Sequence, residues 1–211
     1  RPKKFLGRKF KRAVKSVLYK QAETKSFIAG AQLYPIDTDF GCQNLNTGIV
    51  QTTTAEGRVG EKIFIRNIRI RGSVTMTNIA TNSNGKSFRI MVVRTKTLLG
   101  PASTNQTMTL SNVFRVSPTG GSNITQMHVD LHKVDVLYDK VGTISPNFDH
   151  QGRIKPIFIN IKINKNEYFE SDASGFFKTK NYWLLFGAWD GSSSATPLNF
   201  SYTWAVNYKD F

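Results

Sequence analysis

One stretch decides the fold: Ile63-Phe64-Ile65-Arg66-Asn67-Ile68-Arg69-Ile70-Arg71. Its isoleucines recur with a period of two, which is typical of a β-strand with one buried face. The isoleucines before Arg66 have one parity and those after Asn67 have the other, and this change of phase predicts a β-bulge. Arg69 and Arg71 are expected together on the face opposite the later isoleucines. There they could hold phosphate through paired hydrogen bonds, or simply form a solvated sheet surface.

The chain from about residue 25 onward continues in β-rich runs. Phe88–Thr97 is apolar on both parities, which indicates a central strand covered on both faces. In the run 154–165, isoleucines at every second position fall on one face. Three further runs have strand composition: Val134–Val141, Tyr182–Trp189 and Phe200–Tyr208. The tryptophans inside these runs, Trp183 and Trp204 among them, are interpreted as core residues rather than as surfaces for base stacking.

Turn-rich segments separate these runs at 80–85, 117–122 and 190–197. A long connection, Leu98–Lys133, contains one predicted helical turn at Leu110–Phe114. Seven or eight strands in one unit with long loops predict an all-β fold, a single eight-stranded jelly-roll sandwich of two four-stranded antiparallel sheets. The predicted division of the chain is a basic arm over residues 1–22 and a jelly-roll domain over residues 23–211.

The positive charge of the chain is concentrated in that arm. The 211 residues include 29 Lys and Arg against 14 Asp and Glu, which gives a net charge of +15. Residues 1–20 contain nine basic residues and no acidic one, so the arm is expected to bind a polyanion, most commonly nucleic acid. The predicted nucleic-acid-binding residues are these nine and the two strand arginines: Arg1, Lys3, Lys4, Arg8, Lys9, Lys11, Arg12, Lys15, Lys20, Arg69 and Arg71.

The arm also has an apolar stripe. Leu6, Phe10, Val14 and Val17 recur at spacings of three and four, which predicts the packing face of an amphipathic helix. A helix that forms on assembly and a disordered tail with an accidental pattern both stay open. Cationic helices also lie on membranes, but this stripe lacks Trp and leads into a large folded domain. No stable membrane association is therefore expected.

The sequence offers little catalytic or metal-binding chemistry. His128 and His132 stand in an alternating, strand-like segment, where four residues would separate them by about 13 Å, too far for one ion. Cys42 has no histidine near it in sequence and is interpreted as a half-buried thiol. No catalytic residue, no metal site and no cofactor is predicted, and the chain is expected not to be an enzyme.

Five short motifs occur in an order that resembles one family of viral coat proteins. They are Glu23-Thr24-Lys25, Arg58-Val59-Gly60-Glu61-Lys62-Ile63, Ile68-Arg69-Ile70-Arg71-Gly72, Leu110-Ser111-Asn112-Val113-Phe114 and Val136-Leu137-Tyr138-Asp139-Lys140. With the basic arm before a jelly roll, they resemble capsid proteins of circular Rep-encoding single-stranded DNA (CRESS-DNA) viruses, the circovirus-like group. The chain is also similar in plan to the coat protein of satellite tobacco necrosis virus, which packages RNA. The arm lacks the dense polyarginine run of circoviruses, and this leaves an RNA genome open.

The resemblance implies a capsid protein that assembles into a T=1 icosahedral shell of sixty copies. Its partners would be further copies of itself and a single-stranded genome, DNA by preference, held on the basic inner surface without sequence reading. It would reside in the virion, with assembly in the host nucleus for a DNA genome, and its host receptor stays unknown. The family's sheets are named by the strand letters BIDG and CHEF, and Leu98–Lys133 would be a surface or interface loop. Three arm helices would meet at each three-fold axis.

Two other classes of protein stay open. A non-viral nucleic-acid-binding β protein would have the same arm, and a secreted lectin-like or cytokine-like jelly roll would have the same sandwich. The basic arm argues against the secreted class. Particle size separates the capsid class from both, because sixty subunits of 23.7 kDa form a particle of about 1.4 MDa.

Overall fold

The computed structural model of the chain shows eight β-strands. It describes residues 7, 10–14, 16–17, 22, 24–36, 40–52, 57–76, 85–96, 108–115, 123–145, 154–170, 176–178, 180–189 and 198–210. The strands are β1 (Thr24–Ile36), β2 (Gly41–Asn44), β3 (Lys62–Met76), β4 (Lys86–Thr95), β5 (Val134–Ile144), β6 (Ile154–Tyr168), β7 (Tyr182–Trp189) and β8 (Leu198–Asp210). Between β4 and β5 lies one helical turn, α1 (Leu110–Val113), at the predicted place.

The strands form two antiparallel four-stranded sheets. One has the order β1-β8-β3-β6 and the other the order β2-β7-β4-β5. The pairing is nested, β1 with β8, β2 with β7, β3 with β6 and β4 with β5, as when one long hairpin is rolled up. With the strands lettered B to I in chain order, these are the BIDG sheet and the CHEF sheet. The predicted eight-stranded jelly-roll sandwich is confirmed.

The main hydrophobic core lies between the two sheets. The bulge predicted in β3 is present, since the pairing with both neighbouring strands shifts register between Ile65 and Asn67. Because of this extra residue, isoleucines of both parities face the core, and Ile63, Ile65, Ile68 and Ile70 are at most 1% exposed. Complete burial of such a side chain contributes roughly 1.5–3 kcal/mol to folding.

β4 and β7 are buried on both faces. Opposite the main core, Met91 and Val93 of β4 and Leu185 of β7 belong to a second, smaller hydrophobic cluster. The other wall of this cluster is the connection between β4 and β5, here called the cover segment (residues 108–115 and 123–133). It buries Val113 and Phe114 against the CHEF sheet. This cover explains why the sequence of β4 is apolar on both parities.

Arg89 of β4 attaches the cover segment to the sheet. Its guanidinium donates to both carboxylate oxygens of Asp139 at 2.6 and 2.8 Å. It also donates to the main-chain carbonyls of Ile124 and Met127, at 2.9 and 2.7 Å, and lies 5.4 Å from the ring centre of Phe114. The residue is 8% exposed, so the cost of burying its charge is offset by the carboxylate and the two carbonyls.

The strand predicted around the two histidines is wrong. In the described residues, Val129 forms an isolated bridge with Phe114, and a turn follows over 131–133. The Asp130 carboxylate accepts the main-chain N–H of His132 at 3.1 Å, and an aspartate that bonds its own backbone two residues on favours a turn over a strand. The turn-rich segments 80–85, 117–122 and 190–197 lie outside the described residues, apart from position 85.

Candidate nucleic-acid interface

Arg69 and Arg71 lie on the outer face of the BIDG sheet, as predicted. Both are exposed, whereas Ile68 and Ile70 are fully buried. The bulge at Arg66 produces this arrangement, because it resets the alternation of β3 before the two arginines. Arg66 itself is exposed.

The register of the sheet defines the neighbours of the two arginines. Arg69 stands between Asn160 of β6 and Ala205 of β8. Arg71, two residues on, stands between Phe158 of β6 and Thr203 of β8. The two arginines therefore occupy the middle of the face, with one edge strand, β6, directly beside them.

The outer BIDG face is basic, and the strands that the structure describes place no carboxylate on it. Arg66, Arg69, Arg71 and Lys162 are exposed on strands β3 and β6, and none of them forms an ion pair with any residue that the structure describes. The four BIDG strands contain two carboxylates, Glu167 and Asp210. Both are buried and bonded to other groups.

Asp210 bonds with Lys25 of β1. Their charged atoms are 3.4 Å apart, with side-chain exposures of 6% and 8%. Lys25 also donates to the main-chain carbonyl of Gly57 at 2.7 Å. The pair fixes the end of β8 to the start of β1 and leaves the outer face without its negative charge.

Glu167 bonds with Tyr182 of the opposite sheet, whose hydroxyl donates to Oε1 at 2.7 Å. Burial raises the pKa of the Glu167 carboxyl, while the Tyr182 hydrogen bond and the nearby Arg94 charge act in the opposite direction. Burial and the adjacent carboxylate raise the pKa of Tyr182 far above its ordinary value. This pair lies inside the sandwich and contributes no negative charge to the outer face.

The outer face of the CHEF sheet is different, because the arginine that β4 turns to this face is paired. Arg89 bonds with Asp139 there. Arg94 has the opposite parity in β4 and bonds with Asp135 at 2.5 Å on the side of Tyr182 and Glu167. The Arg94 hydrogen bond holds the pKa of the Asp135 carboxyl below its ordinary range. With the cover segment packed on the outer CHEF face, the sandwich has one side closed by its own chain and one basic side on which the described residues place no such cover.

The arm is described in part. Residues 10–14 and 16–17 are helical and exposed, and they include Lys11 and Arg12 of the predicted basic set. From the predicted apolar stripe, Phe10 is 71% exposed, Val17 52% and Val14 40%. The other predicted arm residues lie outside the described part: Arg1, Lys3, Lys4, Leu6, Arg8, Lys9, Lys15 and Lys20.

The remaining reactive side chains do not form a site in the described residues. Cys42 donates to the main-chain carbonyl of Met108 at 3.6 Å, and burial raises the pKa of its thiol. His128 and His132 are exposed. Within the described ranges, no three His, Cys, Asp or Glu side chains lie close enough together to hold a metal ion. The helical residues described also include no stretch long and apolar enough to cross a membrane.

One residue of the face, Phe158, was not predicted as functional. The signal was present, because Phe158 stands between Ile157 and Ile159, at the parity that the isoleucine pattern assigns to the outside. The structure shows it 73% exposed, while its two neighbours are 2% and 4% exposed. An aromatic side chain at a solvent-facing strand position can therefore be recognised from the sequence alone.

Comparisons with known proteins found similar solved structures. A structure of Desmodium yellow mottle tymovirus aligns with 90% of this chain and 88% of its own, at 11% identity and a TM-score of 0.41. The BFDV capsid protein, solved as a 60-mer, aligns with 90% and 94%, at 8% identity and 0.36. A CocE/NonD family hydrolase from Staphylococcus aureus aligns with 90% of this chain and 37% of its own, at 7% identity and 0.29.

All three TM-scores are below 0.5, so these similarities carry no argument about this chain. No protein-family model matches the chain, and no curated protein matches it.

Proposed function

We propose that this protein is a viral capsid protein that assembles into a closed shell and packages a single-stranded genome. The observation that carries the proposal is the asymmetry of the sandwich. The CHEF side is covered by the chain itself and Arg89 of its sheet is paired, whereas the BIDG side has exposed cations that, among the described residues, have neither a cover nor a carboxylate partner. A subunit of this kind can turn its basic side to a polyanion and its closed side away from it.

The arm and the motif order support the same function. Nine basic residues in the first twenty add a second source of phosphate contacts to those of the sheet. By the family resemblance described above, the shell is a T=1 icosahedron of sixty copies in the virion, and the genome is DNA, with a satellite-type RNA genome as the alternative. A DNA genome would place assembly in the host nucleus. The role is structural and involves no catalysis or cofactor.

The first experiment measures particle size and nucleic-acid content. Purified full-length chain should form particles of about 1.4 MDa, sixty times the subunit mass of 23.7 kDa, visible by negative-stain microscopy. Their ratio of 260 to 280 nm absorbance should show nucleic acid, and sequencing that nucleic acid decides between DNA and RNA. Monomers or dimers at all salt concentrations, with nucleic acid still bound, would favour a non-viral nucleic-acid-binding protein instead.

A matched pair of variants tests where packaging occurs. Lys11→Glu/Arg12→Glu should lower the absorbance ratio of the particles, because phosphate contacts depend on these charges. Arg115→Glu/Lys140→Glu, which reverses two exposed cations of the cover segment and β5, should leave the ratio unchanged. Equal absorbance ratios in the two variants would mean that the arm does not take part in packaging.

A further inference from the structure

Phe158 presents its aromatic ring to the solvent rather than to the core. It is 73% exposed, the largest exposed fraction among the large hydrophobic side chains that the structure describes. β6 is an edge strand, so among the described residues no strand pairs with it on its other side. Exposure of the ring forgoes the free energy of its burial, and a binding partner that covers the ring would recover it.

Phe158 and the two arginines form one surface. Phe158 is the direct cross-strand partner of Arg71, and directly opposite residues have Cβ atoms about 4.5–5.5 Å apart. The ring and both guanidinium groups border an open cleft of about 400 Å³. A second cleft of about 250 Å³ lies on the β8 and β1 side of the same arginines. The arginines thus stand between two clefts, and Phe158 lines one of them.

A chain of amide side chains fixes the polar part of this surface. Asn207 of β8 donates through Nδ2 to Oδ1 of Asn67 at 3.1 Å, and Asn67 donates through Nδ2 to Oδ1 of Asn160 at 2.8 Å. This order turns the Asn160 oxygen toward Asn67 and leaves the Asn160 NH₂ group as a donor at the cleft that Phe158 lines. The cleft therefore offers a flat ring, two guanidinium groups and an amide donor.

Charge decides what can occupy this face. Arg66, Arg69, Arg71 and Lys162 repel a cationic partner, and the arm, with nine basic residues and no acid in its first twenty, is repelled in the same way. A polyanion is the complementary occupant. Phosphate alone would leave the ring unused, whereas an unpaired base stacks on an aromatic ring while its phosphates bond with arginine. In a duplex, the faces of the bases are hidden inside the helix.

We propose that Phe158 is a base-stacking platform, and that with the phosphate-binding Arg69 and Arg71 it makes the outer BIDG face a binding site for single-stranded nucleic acid. This rests on the proposed function and adds to it a contact to bases. The site selects single strands over duplexes but does not read sequence, because every base has a face that can stack.

The test compares two probes that differ only in their bases. The full-length chain is titrated with a fluorescent thymidine oligonucleotide and with an abasic deoxyribose-phosphate chain of the same length. The arm and the arginines contact the phosphates of both probes, so the ratio of the two affinities isolates the contribution of the bases. The wild type should bind the thymidine probe about tenfold more tightly than the abasic probe, and Phe158→Ala should bind both equally.

Three further variants show which side chains cause the preference for the thymidine probe. Phe158→Trp should keep the preference, since it keeps a flat ring, and so should the control Ile154→Ala, which removes an exposed hydrophobic side chain from the same strand. Arg69→Ala/Arg71→Ala should lower the affinity for both probes and the salt dependence of binding. The ratio of the two affinities should stay unchanged.

A preference that survives in Phe158→Ala overturns the proposal. If that variant also fails to form particles, the ring contacts a second copy of the chain instead. Absence of shells from the wild type, with the base preference intact, would contradict the capsid function and leave the stacking site standing.

Discussion

At the scale of single residues, Glu167 should link the stability of the fold to pH. Burial raises the pKa of this carboxyl in the folded chain, so its contribution to stability is full below the unfolded value and is lost as pH rises through the folded value. Glu167→Gln keeps an oxygen to accept the Tyr182 hydroxyl but cannot ionise. At pH 7.5 this variant should have a higher melting temperature than the wild type, by about 2–4 °C for each kcal/mol of stability gained. The difference in melting temperature should vanish near pH 4. A pH-independent difference would contradict this reasoning.

Arg89 should be the residue on which the cover segment depends. Arg89→Met removes the charge partner of Asp139 and leaves the Ile124 and Met127 carbonyls without their donor. We expect a loss of about 3 kcal/mol in the free energy of unfolding, measured with urea.

Lys133→Met is the matched control for Arg89. Lys133, the last residue of the cover segment, bonds within the segment to the Ser111 carbonyl at 2.8 Å, and its side chain is 50% exposed. Its replacement should change stability by less than about 0.5 kcal/mol. Limited proteolysis should cut the cover segment faster in Arg89→Met alone, and equal losses in the two variants would mean that Arg89 does not anchor it.

At the scale of elements, the bulge of β3 sets which face of the strand is basic. Insertion of one alanine between Asn67 and Ile68 adds a second extra residue, so the later isoleucines would turn outward and Arg69 and Arg71 would turn into the core. The partner strand is adapted to the bulge, because Asn164 of β6 has a left-handed φ of 50°. The insertion should abolish cooperative unfolding in calorimetry, whereas Arg66→Ala, which keeps the length of the strand, should stay within about 0.5 kcal/mol of the wild type. An insertion variant with the wild-type near-ultraviolet spectrum would show that the bulge can absorb a second residue without a change of faces.

The sequence predicts those elements whose pattern is local. The phase change at Arg66-Asn67 predicts the bulge, and the two-sided apolar pattern of Phe88–Thr97 predicts a central strand. β1 is not predicted, because a register shift between Ala29 and Gln32 breaks its alternation, and β2 has four residues, too few for a period. The cover segment is not predicted either, since its position depends on contacts with Arg89 and the CHEF sheet, far away in sequence.

The candidate site, too, is predicted from the sequence only in part. Arg69 and Arg71 follow from parity, and Phe158 could have been found by the same rule. Their arrangement into one surface could not, because it requires the pairing of β3 with β6, which are separated by two other strands along the chain.

At the scale of the whole molecule, the exposed arm stripe should be covered by another subunit. Phe10 is 71% exposed in the single chain, and a short helix needs packing to be stable in water. Phe10→Asp should lower the yield of sedimenting particles, at a cost of about 2 kcal/mol per arm. Ser16→Asp adds the same charge on the other side of the helix and should assemble normally. Normal assembly of both variants would mean that the apolar stripe has no role in assembly and that the arm acts through its charge alone.

The central position of β8 has a consequence for how the protein is made. β8 pairs with β1 on one side and β3 on the other, yet it comes last of the eight strands along the chain. A ribosome therefore completes β1 long before it makes the strand that β1 pairs with, and the basic face closes only after residue 210 has emerged. A nascent chain can meet its own messenger RNA with the arm but not with the face. A product that is cut short before residue 198 lacks β8 and therefore cannot build the BIDG sheet.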